Sequence, residues 1–394
     1  MKRGWFVFTA GVAAFAGGVA ACTASADNGD YKEPPSNVAI PDAADDAATA
    51  DADVDAGPCL DCEHFPAECT PDAFCPSALF DSDETTSLDG RTTINMIRGR
   101  SANDVWAVGS GGGIAHFDGT SWKRSETESQ LTLWGVWLPA GVEVAFASLD
   151  PFFAGGVAAP DGGTTTAGGW TQQKPVYASG HAPPAGPVIA EWSPPGGEWT
   201  WVATRNGAPW RLRRTSTGEI EGSTGVSRSA CSVLRCERTR SLHGAAAGAL
   251  WAIGTSGSAI RISDAQEDAP TGKRFNTQTM KALNGVWEAS ASDAWAVGAG
   301  GTIRHYTGDP LVWEIVADVP TDLDLNAIWG FSSSDIWAVG DSGLVLHYDG
   351  TSWSRVKVAG LGSDRPNLTT VWGPAPGHVW IGGHGVMLSL GGTP

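Results

Sequence analysis

The chain has 394 residues, of which 52 are glycine and 19 tryptophan, so glycine stands at about twice its usual share, which argues against a helical bundle. Lysine and arginine number 25 against 43 acidic residues, a net charge of −18, and this removes the basic footprint of a nucleic-acid binder. The charge is uneven, because residues 23–57 hold nine carboxylates against Lys32 alone.

In chain order, Lys2 and Arg3 give a positive start, Gly4 to Gly18 an apolar run, and Ala20 and Ala21 a small-residue end. Residues 1–21 therefore read as an export signal. Val19-Ala20-Ala21-Cys22 resembles the lipobox of bacterial lipoproteins, which implies a diacylglycerol on Cys22, a lipid anchor to the membrane and a place in the cell envelope. Thr23 leans, by the same resemblance, towards the outer membrane. The plainer alternative is an unlipidated signal or a membrane helix, since the apolar run approaches the ~18 residues that span a bilayer.

Residues 22–57 carry almost no bulky apolar side chain and read as a disordered Asp/Ala-rich tether. Asp51, Asp53, Asp55 and Gly57 are spaced like the start of a calcium loop. Ala56 stands where that loop needs glycine and Cys62 where it needs glutamate, so no metal is expected. Residues 58–77 form a cysteine-rich segment. With Cys22 lipidated, Cys59, Cys62, Cys69, Cys75, Cys231 and Cys236 remain, an even six that fits three disulfides in an oxidising compartment. The first four admit three pairings, which spacing does not separate, and Cys231 with Cys236 closes a small loop between repeats.

From there the chain repeats. Leu283-Asn-Gly-Val-Trp287 precedes Asp293-Ala-Trp295-Ala-Val-Gly298, Leu325-Asn-Ala-Ile-Trp329 precedes Asp335-Ile-Trp337-Ala-Val-Gly340, and Leu368-Thr-Thr-Val-Trp372 precedes Val379-Trp380-Ile-Gly382. Asp104-Val-Trp106-Ala-Val-Gly109 keeps the frame, Trp251-Ala-Ile-Gly254 extends it, and Trp201 and Ala145, within Val144-Ala-Phe146, mark two degenerate copies. Seven centres, 39 to 56 residues apart, have the period of propeller blades.

Within one copy, Leu325 to Phe331, Ile336 to Val339, Leu344 to Tyr348 and Ser352 to Val358 read as four strands, separated by Ser/Asp/Gly turns. A four-stranded sheet cannot bury both faces alone, so residues 78–394 are expected to form an all-β propeller of seven four-stranded blades. The last copy stops too early for a fourth strand, and residues 78–87 are expected to supply it, closing the last blade with an N-terminal strand.

Trp106, Trp201, Trp251, Trp295, Trp337 and Trp380 recur at one register and read as packing between blades. Asp104, Asp293 and Asp335, two residues before, read as turn-closing side chains. His116, His305 and His347 recur in separate blades, which argues against a metal triad. The column before these tryptophans varies: Arg98, Trp137, His243, Trp287, Trp329 and Trp372. If first strands line the central channel, this column forms an aromatic ring at one mouth, suited to sugar rings or Pro-rich segments; the bland alternative is further inter-blade filling.

The copies resemble the Trp-rich propeller repeats of secreted Gram-negative lipoproteins, more distantly those of Asp-box (BNR) and kelch-like propellers, over about residues 85–394. Asp349-Gly350-Thr351-Ser352-Trp353 and Asp118-Gly119-Thr120-Ser121-Trp122 lack one residue of the Asp-box pattern. A sialidase resemblance would imply a tyrosine nucleophile, and only Tyr177 is free of a repeat position or the tether. No catalytic motif and no cofactor site is found, so an enzyme is not favoured. The expectation is a monomeric, lipid-anchored binding module for a glycan or an envelope protein, with no nucleic-acid partner; a carbohydrate-active hydrolase and an assembly factor are the alternatives.

Overall fold

The repeating unit folds as one sheet. Leu325–Ser332, Asp335–Gly340, Val345–Tyr348 and Trp353–Arg355 pair in chain order, each antiparallel to the one before. Their alternating apolar and β-branched positions suit a pleated surface packed on its neighbours. The computed structural model describes residues 61–80, 87–149, 152–159, 163–177, 186–194, 196–236 and 238–392. The signal segment, the tether, Cys22 and Cys59 lie outside these residues, as do 81–86 of the stretch expected to close the last blade.

Seven such sheets stand around an axis. Their innermost strands are Ile94–Ser101, Gly135–Trp137, Val188–Trp192, Thr239–Ala246, Leu283–Ser290, Leu325–Ser332 and Leu368–Ala375, for blades 1 to 7. Each touches the next, and the seventh touches the first. The core follows the same logic, because seven apolar clusters each draw on two adjacent blades. Trp201, Trp251, Trp295, Trp337 and Trp380 sit buried in five different clusters, and Trp106 packs against a sixth.

The recurring aspartate does not close its turn. The serine before the turn does: Ser101, Ser290 and Ser332 Oγ accept the N–H groups of Asn103, Ser292 and Ser334 at 3.2, 3.4 and 3.3 Å. The Asp104, Asp293 and Asp335 carboxylates instead accept the indole N–H of Trp106, Trp295 and Trp337 at 3.1, 3.1 and 3.0 Å. They also lie 3.0, 2.8 and 2.9 Å from Nε2 of His116, His305 and His347. Each imidazole is the cross-strand partner of its tryptophan and stacks on it, with centroids 4.3, 3.8 and 4.1 Å apart. Asp, Trp and His thus form one packing group in each of blades 1, 5 and 6.

A second repeated device joins blades. Asn95, Asn284 and Asn326 donate from Nδ2 to the carbonyls of Leu133, Leu325 and Leu368, the starts of the following blades, at 2.8, 2.9 and 2.9 Å. Thr369 Oγ1 donates to the Ile94 carbonyl and joins blade 7 to blade 1.

The last blade is closed by an N-terminal strand, but an earlier one than 78–87. Phe74–Pro76 pairs antiparallel with Val386–Leu390, while Ala78–Phe80 is a 3-10 turn. The reason is apolar fit: Phe74 is fully buried between blades 6 and 7, edge-on to Trp337 at 5.3 Å. Cys75, in this strand, is bridged to Cys69, so the cysteine-rich segment belongs to the closure of the ring. Cys231 pairs with Cys236 at the end of helix Arg228–Leu234, and Cys62 is also disulfide-bonded.

Blade 3 carries an added outer strand, Val176–Tyr177, parallel to Ile220–Thr224. Gly222 accommodates it, since a Cβ there would lie 2.1 Å from the Tyr177 ring. Among the described residues no helix is long and apolar enough to cross a membrane.

Candidate functional site

The innermost strands run from one mouth of the channel to the other, so residues near their ends share a rim. A cavity of about 600 Å³ opens at the rim where these strands end. Arg98, His243, Trp287, Trp329 and Trp372 line it, five of the six residues of the variable column. Trp192 of blade 3 completes the set. It pairs with Trp201 as Trp287 pairs with Trp295, but it stands nine positions before its partner where blades 1 and 4 to 7 have eight, which hid it in sequence.

Trp137 does not line the cavity. Its strand is short, and its ring packs with Val142, Val144 and Phe152 in the core between blades 2 and 3. Val136 and Leu138 border the cavity in its place, as a one-residue change of strand face requires.

The rings form an arc. Trp192 to His243, His243 to Trp287, His243 to Trp329 and Trp329 to Trp372 lie at centroid distances of 6.3, 6.4, 5.6 and 6.2 Å. The arc is packed from behind by glycine. A Cβ on Gly244, Gly330 or Gly99 would lie 2.9, 2.7 or 2.5 Å from Trp192, Trp287 or Trp372 of the preceding blade. Trp329 Nε1 donates to the Gly373 carbonyl at 2.9 Å. So the column fills between blades and lines the mouth at once. Trp192, Trp287 and Trp372 are buried, and Trp329 is half-buried with Phe331 beside it.

Polar groups enter where the pattern breaks. Where His243 replaces the larger indole, the following blade carries Glu288 in place of glycine, and the Glu288 N–H donates to His243 Nδ1 at 3.0 Å. That bond fixes the neutral tautomer with its proton on Nε2. Burial, and then the charge of Arg98, lower the His243 pKa from 6.5 to about 3. Glu288 is held by Arg261 Nη1 at 2.5 Å and by the Ala245 N–H at 3.0 Å. Glu191 lies 3.7 Å from Arg98 Nε, and accepts hydrogen bonds from Ser193 Oγ and, at 2.9 Å, from Thr200 Oγ1. Burial raises the pKa of both glutamates, against the opposing charge of Arg261 for Glu288 and of Arg98 for Glu191. Desolvation in turn lowers that of Arg98.

Below the arc the channel narrows to about 180 Å³, still bordered by Arg98, Glu191 and His243. It opens again at the strand starts into a second mouth of about 650 Å³. Tyr177 stands on the outer edge of blade 3 and donates to the Leu149 carbonyl at 3.2 Å, whereas Glu191 is on the innermost strand, so the two form no catalytic pair. Among the described residues no His, Cys, Asp and Glu cluster could hold a metal ion.

Fold and channel together define a seven-bladed β-propeller with an aromatic mouth. No known family model matches the sequence, and no functionally curated protein is similar to it. Among solved structures the chain is similar to YCF48 from Cyanidioschyzon merolae, at 16% identity over 77% of this chain and 97% of that one, TM-score 0.58. YCF48 bound to a D1 peptide matches at 15% identity over 76% and 91%, TM-score 0.55. The extracellular domain of a putative hybrid two-component system, BT3049 of B. thetaiotaomicron, matches at 14% over 79% of this chain and 41% of that one, TM-score 0.57. These likenesses are of fold.

Proposed function

We propose that the protein is a lipid-anchored binding module of the cell envelope, whose aromatic mouth takes a glycan or a segment of an envelope protein. The observation that carries this reading is the arc of Trp192, Trp287, Trp329 and Trp372 around a cavity of about 600 Å³, with Arg98 and the neutral His243 as polar groups in its wall. Indole faces and edges stack on pyranose or proline rings, while a few fixed polar groups orient the ligand. The fold neighbour that binds a D1 peptide shows a propeller engaging a peptide, and the extracellular neighbour accords with an envelope address. The resemblance of Val19-Ala20-Ala21-Cys22 to a lipobox supports the anchor.

The test is retention of residues 58–394 on envelope polysaccharides, on a glycan array and on cross-linked envelope protein. Trp329→Ala, at the most accessible indole, should weaken binding by about tenfold or more. Undiminished binding in that variant, with an unchanged melting temperature, would place the ligand elsewhere. A hydrolase is the second reading, because Glu191 and Glu288 border one cavity. Release of reducing sugar, abolished by Glu191→Gln, would favour it.

A further inference from the structure

The rim chemistry changes at the other end of the channel. The second mouth carries three arginines, Arg205, Arg238 and Arg240, on the neighbouring blades 3 and 4. All three are exposed. Arg205 lies over the Trp134 ring at 5.6 Å, and Arg240 Nη1 donates to Asn284 Oδ1 at 2.6 Å. Several other guanidinium groups are held by carboxylates, Arg100 by Asp104 and Glu143, Arg213 by Glu198 and Glu221, Arg365 by Asp61, while Arg211 and Arg304 are satisfied by backbone carbonyls. Among the described residues, none of the three mouth arginines has such a partner. Asp341, on blade 6, is the one carboxylate among the described lining residues and accepts from Asn326 Nδ2 at 2.9 Å, so the arginines on blades 3 and 4 leave the rim with a surplus of positive charge.

A protein of net charge −18 thus gathers three unneutralised cations in one concave rim. Their mutual repulsion is relieved by an anion, and a concave wall focuses their field. Guanidinium forks bind carboxylates through paired N–H groups. Beside them stand the exposed amide of Asn206, the Thr255 hydroxyl and the Trp134 ring, which offer donors, acceptors and a stacking face. That combination matches a ring bearing both hydroxyls and a carboxylate. We propose that this second mouth binds a uronate-bearing polysaccharide, with Arg205, Arg238 and Arg240 on its carboxylates and the amide, hydroxyl and indole groups on its sugar faces. The site shares no lining residue with the aromatic mouth, so its failure leaves the first reading standing.

The experiment is calorimetric titration of the full-length protein with α-1,4-linked hexagalacturonate, with neutral maltohexaose and a hexaglutamate peptide as comparators. The expected result is saturable binding of the uronate alone, weakened by rising salt, and reduced about tenfold or more in Arg205→Gln/Arg238→Gln. Both positions are exposed, so an unchanged melting temperature verifies the fold of the variant. Arg274→Gln, on the outer strand of blade 4, should leave affinity unchanged. Absence of saturable heat, equal binding of maltohexaose, or undiminished affinity in the double variant would overturn the proposal. Tighter binding of hexaglutamate would overturn it in favour of an acidic peptide.

Discussion

Blades 5 and 6 differ from blades 3 and 4 in how they treat the second-strand tryptophan. In blades 5 and 6 an aspartate two residues before it accepts from both the indole and the cross-strand histidine. In blades 3 and 4 that aspartate is absent, and the cross-strand partner of Trp201 and Trp251 is an arginine, Arg211 and Arg261. With no local acceptor, the arginines reach to the next blade. Arg211 donates to the Glu267 and Asp268 carbonyls at 2.5 and 3.2 Å, and Arg261 pairs with Glu288. What repeats, then, is an interaction more than a residue. Where its local version is lost, the polar group extends across a blade boundary, and in blade 4 it ends at the wall of the aromatic mouth.

The comparison breaks most sharply at the indole. Trp337→Ala removes a side chain buried between blades 6 and 7 and should cost about 3–5 kcal/mol in chemical denaturation. A loss below about 1 kcal/mol would show that the recurring tryptophan is not the packing element.

The next effect separates the blade 4 and 5 boundary from the regular blades. His243 has a folded pKa of about 3 against 6.5 for the free side chain, so the unfolded chain takes up the proton first. Stability from this group is complete above pH 6.5 and falls as the pH drops towards 3. Glu191 and Glu288, raised by burial, act in the opposite sense and weaken the fold as the pH rises through their folded values. His243→Gln should flatten the acid limb of a denaturation-versus-pH curve; an unchanged limb would remove His243 as its source.

The ring closure gives a smaller effect. Cys75→Ser opens the short loop that clips Phe74–Pro76 to blade 7 and should lower stability by about 2 kcal/mol in chemical denaturation. Smallest is Asp335→Asn, which keeps the shape but removes the charge assisting two hydrogen bonds, for about 1 kcal/mol in the same assay. Its counterpart in blades 3 and 4 does not exist, so a cost of zero would mean that the two solutions differ in appearance only.

Much of this was legible in sequence. The period, the turns and the alternating strands of blades 5 and 6 follow from residues close together in the chain, and so does the packing role of the tryptophan column. The mouth was legible in part, because five of its aromatic and cationic residues share one register. Trp192 was hidden by one extra residue in its turn, Glu191 and Glu288 by their resemblance to any half-buried strand carboxylate, and Trp137 by the parity of a short strand. The asparagine latches recur after Leu283, Leu325 and Ile94, but their acceptors are backbone carbonyls of another blade, which no side-chain pattern marks.

The sequence by itself determined the blade, since strand, turn and face arise from apolar alternation and turn chemistry within about forty residues. Tertiary structure decided the rest. Phe74, Trp337 and Leu390 meet because burying Phe74 between the last two blades closes the ring. Arg98, Glu191 and His243, from blades 1, 3 and 4, share one buried wall for the same reason. Each is an ordinary residue on its own strand; closure removes their water and brings their charges within reach of one another, which turns a repeat into a site.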